Sequence, residues 1–151
     1  MRIVLDTNVI ISAGLTPGGR EARVIMLGAR GDYQLCVCDE LEAEYREVSQ
    51  RAKFGKSRQK IASVVDDVIA HALRVVMVDK PELCRDPDDN IVLGCALSAA
   101  ADYLITGNLA DFPTNLHAPE IMNAARFLAS VKADAGVLAP RSGDEILDPL
   151  A

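Results

Sequence analysis

Met1-Arg2-Ile3-Val4-Leu5-Asp6-Thr7-Asn8 opens the chain and decides how the rest is read. Ile3, Val4 and Leu5 form a short apolar run of the kind that becomes a buried strand. The run stops at the carboxylate of Asp6, and Thr7-Asn8 and a second apolar run, Val9-Ile10-Ile11, follow. In open α/β sheets the carboxyl ends of the strands deliver functional groups to a crevice. Ionised Asp is seldom buried without a hydrogen-bonded partner or a metal. Asp-Thr-Asn also suits an ordinary turn at a strand end, so this segment leaves both readings open.

Working outward, the pattern predicts strands alternating with helices. Strands are expected at residues 2–5, 34–38, 74–78 and 103–106, with a short one near Glu120-Ile121. Gly14-Leu15-Thr16-Pro17-Gly18-Gly19 reads as a loop. The helix after it should bury Ala22, Ile25, Met26 and Ala29, and Gly31-Asp32 should end it. Asp39 is expected to cap the next helix, with Leu41, Tyr45 and Val48 inside, and Phe54-Gly55-Lys56-Ser57 to break it. Further helices are expected from Ser57 to about Leu73, around Ile91, Val92, Cys95, Ala96 and Ala99, and over residues 124–131. Alternation of this kind predicts a parallel sheet of four to five strands covered on both faces. One domain over residues 1–132 is expected, with residues 133–151 a loosely ordered or partner-docking tail rich in Gly and Pro.

Composition bounds the function. The 151 residues suffice for one full core, and 50% apolar with 25% charged residues reads as globular. No secretory signal or membrane span is read in the sequence. Cys36, Cys38, Cys84 and Cys95 form no Cys-x-x-Cys pair, which predicts reduced thiols and a cytoplasmic location. The net charge of −6 counts against general affinity for nucleic acid. Residues 46–60 are the exception: Arg46, Arg51, Lys53, Lys56, Arg58 and Lys60 face only Glu47 there. That segment reads either as a solvated surface or as a phosphate-tracking patch.

Acidic residues fall at each predicted strand–helix junction. Asp6 ends the first strand, Glu44 lies in the helix after the second, and Asp86-Pro87-Asp88-Asp89-Asn90 precedes the helix after the third. Thr106-Gly107-Asn108 ends the fourth, with Asp111 close behind. Several oxygen donors with no His or Cys among them suit a hard divalent cation, Mg²⁺ or Mn²⁺. Without one, like charges so close raise one another's pKa. A phosphorylated-Asp site of the haloacid-dehalogenase type would want a second Asp where Asn8 stands. Gly18-Gly19 matches no nucleotide-phosphate loop.

Four segments together resemble the PIN-domain family: Ile3-Val4-Leu5-Asp6-Thr7-Asn8-Val9, Glu40-Leu41-Glu42-Ala43-Glu44-Tyr45-Arg46-Glu47-Val48, Arg85-Asp86-Pro87-Asp88-Asp89-Asn90, and Ala101-Asp102-Tyr103-Leu104-Ile105-Thr106-Gly107-Asn108-Leu109-Ala110-Asp111-Phe112. Each alone is weak; in this order and spacing they are specific. The resemblance is to the bacterial and archaeal branch of VapC-like toxins of toxin–antitoxin systems. It implies a Rossmann-like three-layer α/β/α fold and an Mg²⁺- or Mn²⁺-dependent ribonuclease that hydrolyses RNA phosphodiesters with activated water. Asp6 then matches the first acid and Glu44 the second. Asn90 stands where many relatives carry the third, with Asp86 and Asp89 as substitutes nearby. Asn108, a common variant in this branch, stands at the fourth, and Asp111 could contribute through water. Asn8 and Thr106, and on even terms Thr7, are read as hydrogen-bonding supports of these ligands. A small antitoxin and a homodimer are implied partners. The alternative is a degenerate PIN scaffold that binds RNA or a protein without cleaving.

Overall fold

The computed structural model describes residues 1–137. Five parallel strands form one sheet in the order β3-β2-β1-β4-β5: β1 (Arg2–Leu5), β2 (Gln34–Val37), β3 (Leu73–Arg74), β4 (Tyr103–Ile105) and β5 (Glu120–Met122). Six helices flank it: α1 (Thr7–Leu15), α2 (Arg20–Arg30), α3 (Asp39–Ser49), α4 (Arg58–His71), α5 (Pro87–Ser98) and α6 (Ala124–Val137). α1, α2, α4 and α6 pack on one another, while α5 packs on β1, β2 and β4. This is the expected three-layer α/β/α arrangement, with β1 and β4 adjacent at its centre. Ile3, Val4 and Leu5 are buried, as are Leu104 and Ile105 beside them. No helix among the described residues is long and apolar enough to cross a membrane. All four cysteines are free.

Several elements differ from the sequence expectation. The run after Asp6 is a helix, α1, which continues through Gly14 and Leu15, so the loop is only residues 16–19. Val9, Ile10, Ala13 and Gly14 are its buried positions. The 3.6-residue period is there, but β-branched residues of low helix propensity mask it. In α2 the buried residues are Val24, Ile25, Leu27 and Gly28. Met26 is 44% exposed and lines a shallow groove with Ala22, Ala29 and Val64. Tyr33 explains the rotation, since its hydroxyl donates to the Val24 carbonyl and its ring meets Phe127 edge-on at 5.2 Å.

β3 pairs only at Leu73 and Arg74, not over residues 74–78. The Val75 amide still reaches the Val37 carbonyl at 2.8 Å, but there β2 ends and α3 begins, leaving the chain beyond no strand to follow. α5 starts at Pro87, inside the segment read as a loop before the helix. Asp86 caps it and Pro87 takes its first turn, where a missing amide proton costs nothing. α6 runs on to Val137, past the helix end expected at 131. The rest of the predicted tail, residues 138–151, lies outside the described residues.

α1 crosses α4 at Gly14, where a Cβ would lie 2.7 Å from the Ile61 Cγ1 and 2.8 Å from its Cα. Backbone cannot yield as a side-chain tip can, so Gly14→Val is expected to destabilise by at least about 2 kcal/mol. At about 2–4 °C per kcal/mol for a chain of this size, thermal melting should show a clear drop. An unchanged midpoint would mean the crossing is looser than it looks.

Candidate active site

β1 delivers Asp6 to the top of the sheet, where its amide bonds the Ile105 carbonyl of β4 at 2.9 Å. Asp6 is 5% exposed and caps α1, its Oδ1 accepting from the Thr7 amide at 2.7 Å. Its Oδ2 accepts from the Thr106 hydroxyl at 2.8 Å and from Asn8 Nδ2 at 3.0 Å. Thr106, fully buried at the end of β4, also accepts from the Asn108 amide at 3.0 Å. Asn8 Oδ1 takes the Gly107 amide at 2.9 Å and so ties the start of α1 to the end of β4. Asn8 and Thr106 are thus neutral donors to one carboxylate.

Glu44 comes to the same place from α3. That helix is anchored by Tyr45, the next residue, whose buried hydroxyl donates to the Leu5 carbonyl immediately before Asp6. Glu44 Oε2 accepts the Thr7 hydroxyl at 2.5 Å. Thr7, left undecided in the sequence, thus bridges the start of α1 to Glu44 on α3. A partner 37 positions away gives no local signal for it.

The third segment separates by role. Asp86 Oδ1 accepts the Asp88 amide at 2.9 Å and caps α5, as Asp6 caps α1. Asn90 Oδ1 accepts the Cys84 amide at 2.8 Å, and its Nδ2 faces the Cys84 carbonyl at 3.4 Å, so it clamps the preceding loop. Asp89, in the first turn of α5, feels the charge of Asp6. Asn108 is exposed, and its bond to the site is through its backbone amide. Asp111 is exposed at the end of a short 3-10 turn (Leu109–Asp111), yet its charge acts on both Asp6 and Asp89.

These acids raise one another. Burial pushes the Asp6 carboxyl above its usual range, against hydrogen bonds from Thr106, Thr7 and Asn8, and Asp111 adds to the rise. Burial, then Asp88, Asp6 and Asp89, lift Glu44 to about 7, opposed by the Thr7 hydroxyl. Burial, then Asp6 and Asp111, lift Asp89 to about 6. Asp88, not singled out in the sequence, belongs to the same field. Among the described residues none of Asp6, Glu44 and Asp89 forms a salt bridge. Nor do three or more His, Cys, Asp or Glu side chains there stand in metal-holding geometry. The donor chemistry is that of a hard-cation site: oxygen only, partly desolvated and self-repelling.

The basic segment is thinner than its sequence suggests. Arg46 is taken by Glu42 at 3.1 Å and Asp66 at 3.0 Å. Arg51 is paired with Glu47 at 2.9 Å, although it also feels Asp88 and Glu44 and so lies toward the acids. Lys53, Lys56, Arg58 and Lys60 remain exposed on the 3-10 turn (Ala52–Ser57) and the first turn of α4. Lys53 Nζ lies 5.2 Å from the Phe54 ring centre, and Gly55 turns the chain there with φ of +49°.

Comparison with known proteins agrees with this architecture. The family described as PIN domain matches residues 2–110, which hold every acid of the cluster except Asp111. Among solved structures, the fold is similar to a chain of VapBC2 from Rickettsia felis bound to a DNA fragment from their promoter. That match has a TM-score of 0.57 and 18% identity, and covers 82% of this chain and 98% of the other. No curated protein matches the sequence.

Proposed function

The chain belongs to the PIN-domain family, and from that premise we propose that it is an Mg²⁺- or Mn²⁺-dependent endoribonuclease, the toxin of a toxin–antitoxin pair. One observation carries the reading. Asp6, Glu44 and Asp89 come from three separate elements and are each partly or wholly buried; Thr7, Asn8 and Thr106 hold Asp6 and Glu44, and among the described residues no cationic side chain pairs with any of the three. A fold gains no stability from concentrating carboxylates in this way, so the arrangement fits a site for a cation. Asp6, Glu44 and Asp89 are the residues to hold it, with Asp111 and Asn108 at the rim. A bound divalent cation supplies Lewis acidity and a hydroxide-like nucleophile at neutral pH. The chain's own part is to fix Asp6 from three sides and to hold Glu44 against Thr7. Lys53, Lys56, Arg58 and Lys60, all exposed, are the residues proposed to track a single-stranded RNA backbone.

The test is cleavage of a fluorescent RNA by the full chain in Mn²⁺, in Mg²⁺ or in EDTA. Cleavage in metal and none in EDTA is expected. Four phosphate contacts on a single strand give a slope of about −2.8 in log affinity against log salt. Raising salt from about 50 to 200 mM should then lower sub-saturating cleavage roughly 50-fold. Charge reversal at Lys53 and Lys56 should flatten that slope and raise KM more than it lowers kcat. A salt-independent rate would remove the role given to this segment.

Asn108 at the rim, and Asn90 clamped on Cys84, favour a second reading: a scaffold that binds RNA or a protein without cleaving. RNA binding that EDTA leaves untouched, with no cleavage in either metal, selects it. Similarity to a VapBC2 chain supports a small antitoxin as partner. Co-expression with a neighbouring small open reading frame would show it as a stable complex.

A further inference from the structure

β5 is the last strand on its side of the sheet, and the chain that crosses from β4 to it encloses a groove of about 320 Å³. Leu109, Pro113, Leu116 and Ile121 wall the groove, and Glu120 and Arg126 line it as well. Buried Phe112 pins the crossing to the core, Leu116 and Ile121 pack partly on that core, and Leu109 stays 43% exposed. Arg126 stands in the first turn of α6, where Asn123 Oδ1 accepts its amide at 2.8 Å. The side chains of Glu120 and Arg126 are exposed, and among the described residues neither has a hydrogen-bond or ion-pair partner. One end of the groove adjoins the acidic cluster. Leu109 follows Asn108, whose amide bonds the Thr106 hydroxyl, and shares its turn with Asp111, whose charge reaches Asp6 and Asp89. The volume is at the small end for ligand pockets, room for one nucleobase and too little for a helix.

We propose that this groove is a guanine subsite for the RNA strand whose phosphodiester lies at the acidic cluster. The inference rests on the ribonuclease reading above and adds a base preference to it. Single-stranded RNA can splay a base out of its stack and offer both of its polar edges. Apolar walls suit the flat faces of such a base, and the two charged side chains suit its edges. Guanine presents two adjacent acceptors, O6 and N7, beside the donors N1–H and the N2 amino group. The Arg126 guanidinium is a forked donor that matches the acceptors, and the Glu120 carboxylate accepts from the donors. Adenine would turn its amino group toward Arg126, and the pyrimidines have no N7. Charge argues for a base over a phosphate. Arg126 and Glu120 together carry none, as a base does, whereas a phosphate here would meet a carboxylate as well as a guanidinium.

The experiment is metal-dependent cleavage of a random-sequence RNA pool by the full chain, with the cut ends sequenced. Guanine should be enriched about tenfold or more at one fixed position relative to the cut. Arg126→Met and Glu120→Ala should each lower that enrichment at least about threefold, and the double variant should abolish it. Both positions are exposed, so the variants should fold, and neither contacts phosphate, so the salt slope should not change. Base analogues test the same contacts on the unaltered protein. In the best substrate, 7-deazaguanine removes the N7 acceptor facing Arg126, and hypoxanthine removes the amino group facing Glu120. Each should lower kcat/KM about fivefold, and cost nothing further in the variant that lacks the matching side chain. No metal-dependent cleavage of any sequence would overturn the ribonuclease reading and this subsite with it. Cleavage with no preferred base at a fixed position, a guanine preference that survives the double variant, or analogues cut as fast as guanine would overturn the subsite alone. Variants that cut like the wild type but lose the antitoxin would assign the groove to that partner instead.

Discussion

Asp6→Asn is expected to abolish RNA cleavage and leave the protein folded. The carboxylate is the one acid reached from three sides: the Thr7 amide, Asn8 and Thr106 all donate to it. A carboxamide keeps the shape and loses the charge, which is what gives a carboxylate most of its affinity for a hard cation. The several kcal/mol that a bound metal supplies in phosphodiester chemistry correspond to a loss on the order of 10³-fold or more. Stability should change little. The amide nitrogen would face at least one donor that now meets an oxygen, at a cost of about 1 kcal/mol. Against that, the folded protein no longer buries a charge that desolvation already disfavours. The measurements are cleavage in Mn²⁺, Mn²⁺ binding by calorimetry and a thermal melt, on wild type and variant together. Cleavage within tenfold of wild type would remove Asp6 from the proposed site. Lost cleavage with lost folding would point to a purely structural role.

What the sequence shows of this site, and what it hides, follows from the range of the interactions. Asp6, Asn8 and Thr106 are legible because each belongs to a strand end, and an apolar run that stops at a polar residue is a local signal. The parallel sheet is legible from the alternation of elements. How Asp86, Asp89 and Asn90 are placed is not, because it turns on where α5 begins. Once Pro87 opens the helix, Asp86 becomes the cap and Asp89 falls within the first turn, where it feels Asp6. Asn90 faces Cys84 for the same reason. The basic segment shows the opposite limit. Its charges are countable in the sequence, but Asp66, which shares Arg46 with Glu42, is twenty positions away. Strand β3 fails in a third way. Residues 74–78 carry the propensity of a strand, but pairing needs a neighbour, and β2 ends at Val37.

Raising the pH from about 5 to 8 is expected to destabilise the metal-free protein, and Mn²⁺ or Mg²⁺ to restore what is lost. Burial and neighbouring carboxylates lift Glu44 to about 7 and Asp89 to about 6, and raise Asp6 as well, whereas in the unfolded chain all three return to the ordinary carboxylate range. Between those limits the folded state binds more protons than the unfolded one, so stability falls with rising pH. The contribution is complete below the unfolded values near 4 and is lost as the pH passes through 6 and then 7. For Glu44, solvent screening at a half-buried group reduces the effect to about 1–2 kcal/mol. At about 2–4 °C per kcal/mol this is a measurable fall in melting temperature. A cation binds the deprotonated cluster only, so its stabilisation runs the other way. At 100-fold over its Kd it adds about 2.7 kcal/mol, and its affinity weakens as protons compete below pH 6. Cleavage should rise over the same interval, because the deprotonated cluster is the form that holds the cation. The check is a matrix of melts at pH 5, 6, 7 and 8, each with EDTA or Mn²⁺, beside Glu44→Gln. The variant should flatten the EDTA series and shrink the metal shift at pH 8. A wild-type melt that ignores pH, or a metal shift as large at pH 5 as at pH 8, would mean that the carboxylates neither repel one another nor share a cation.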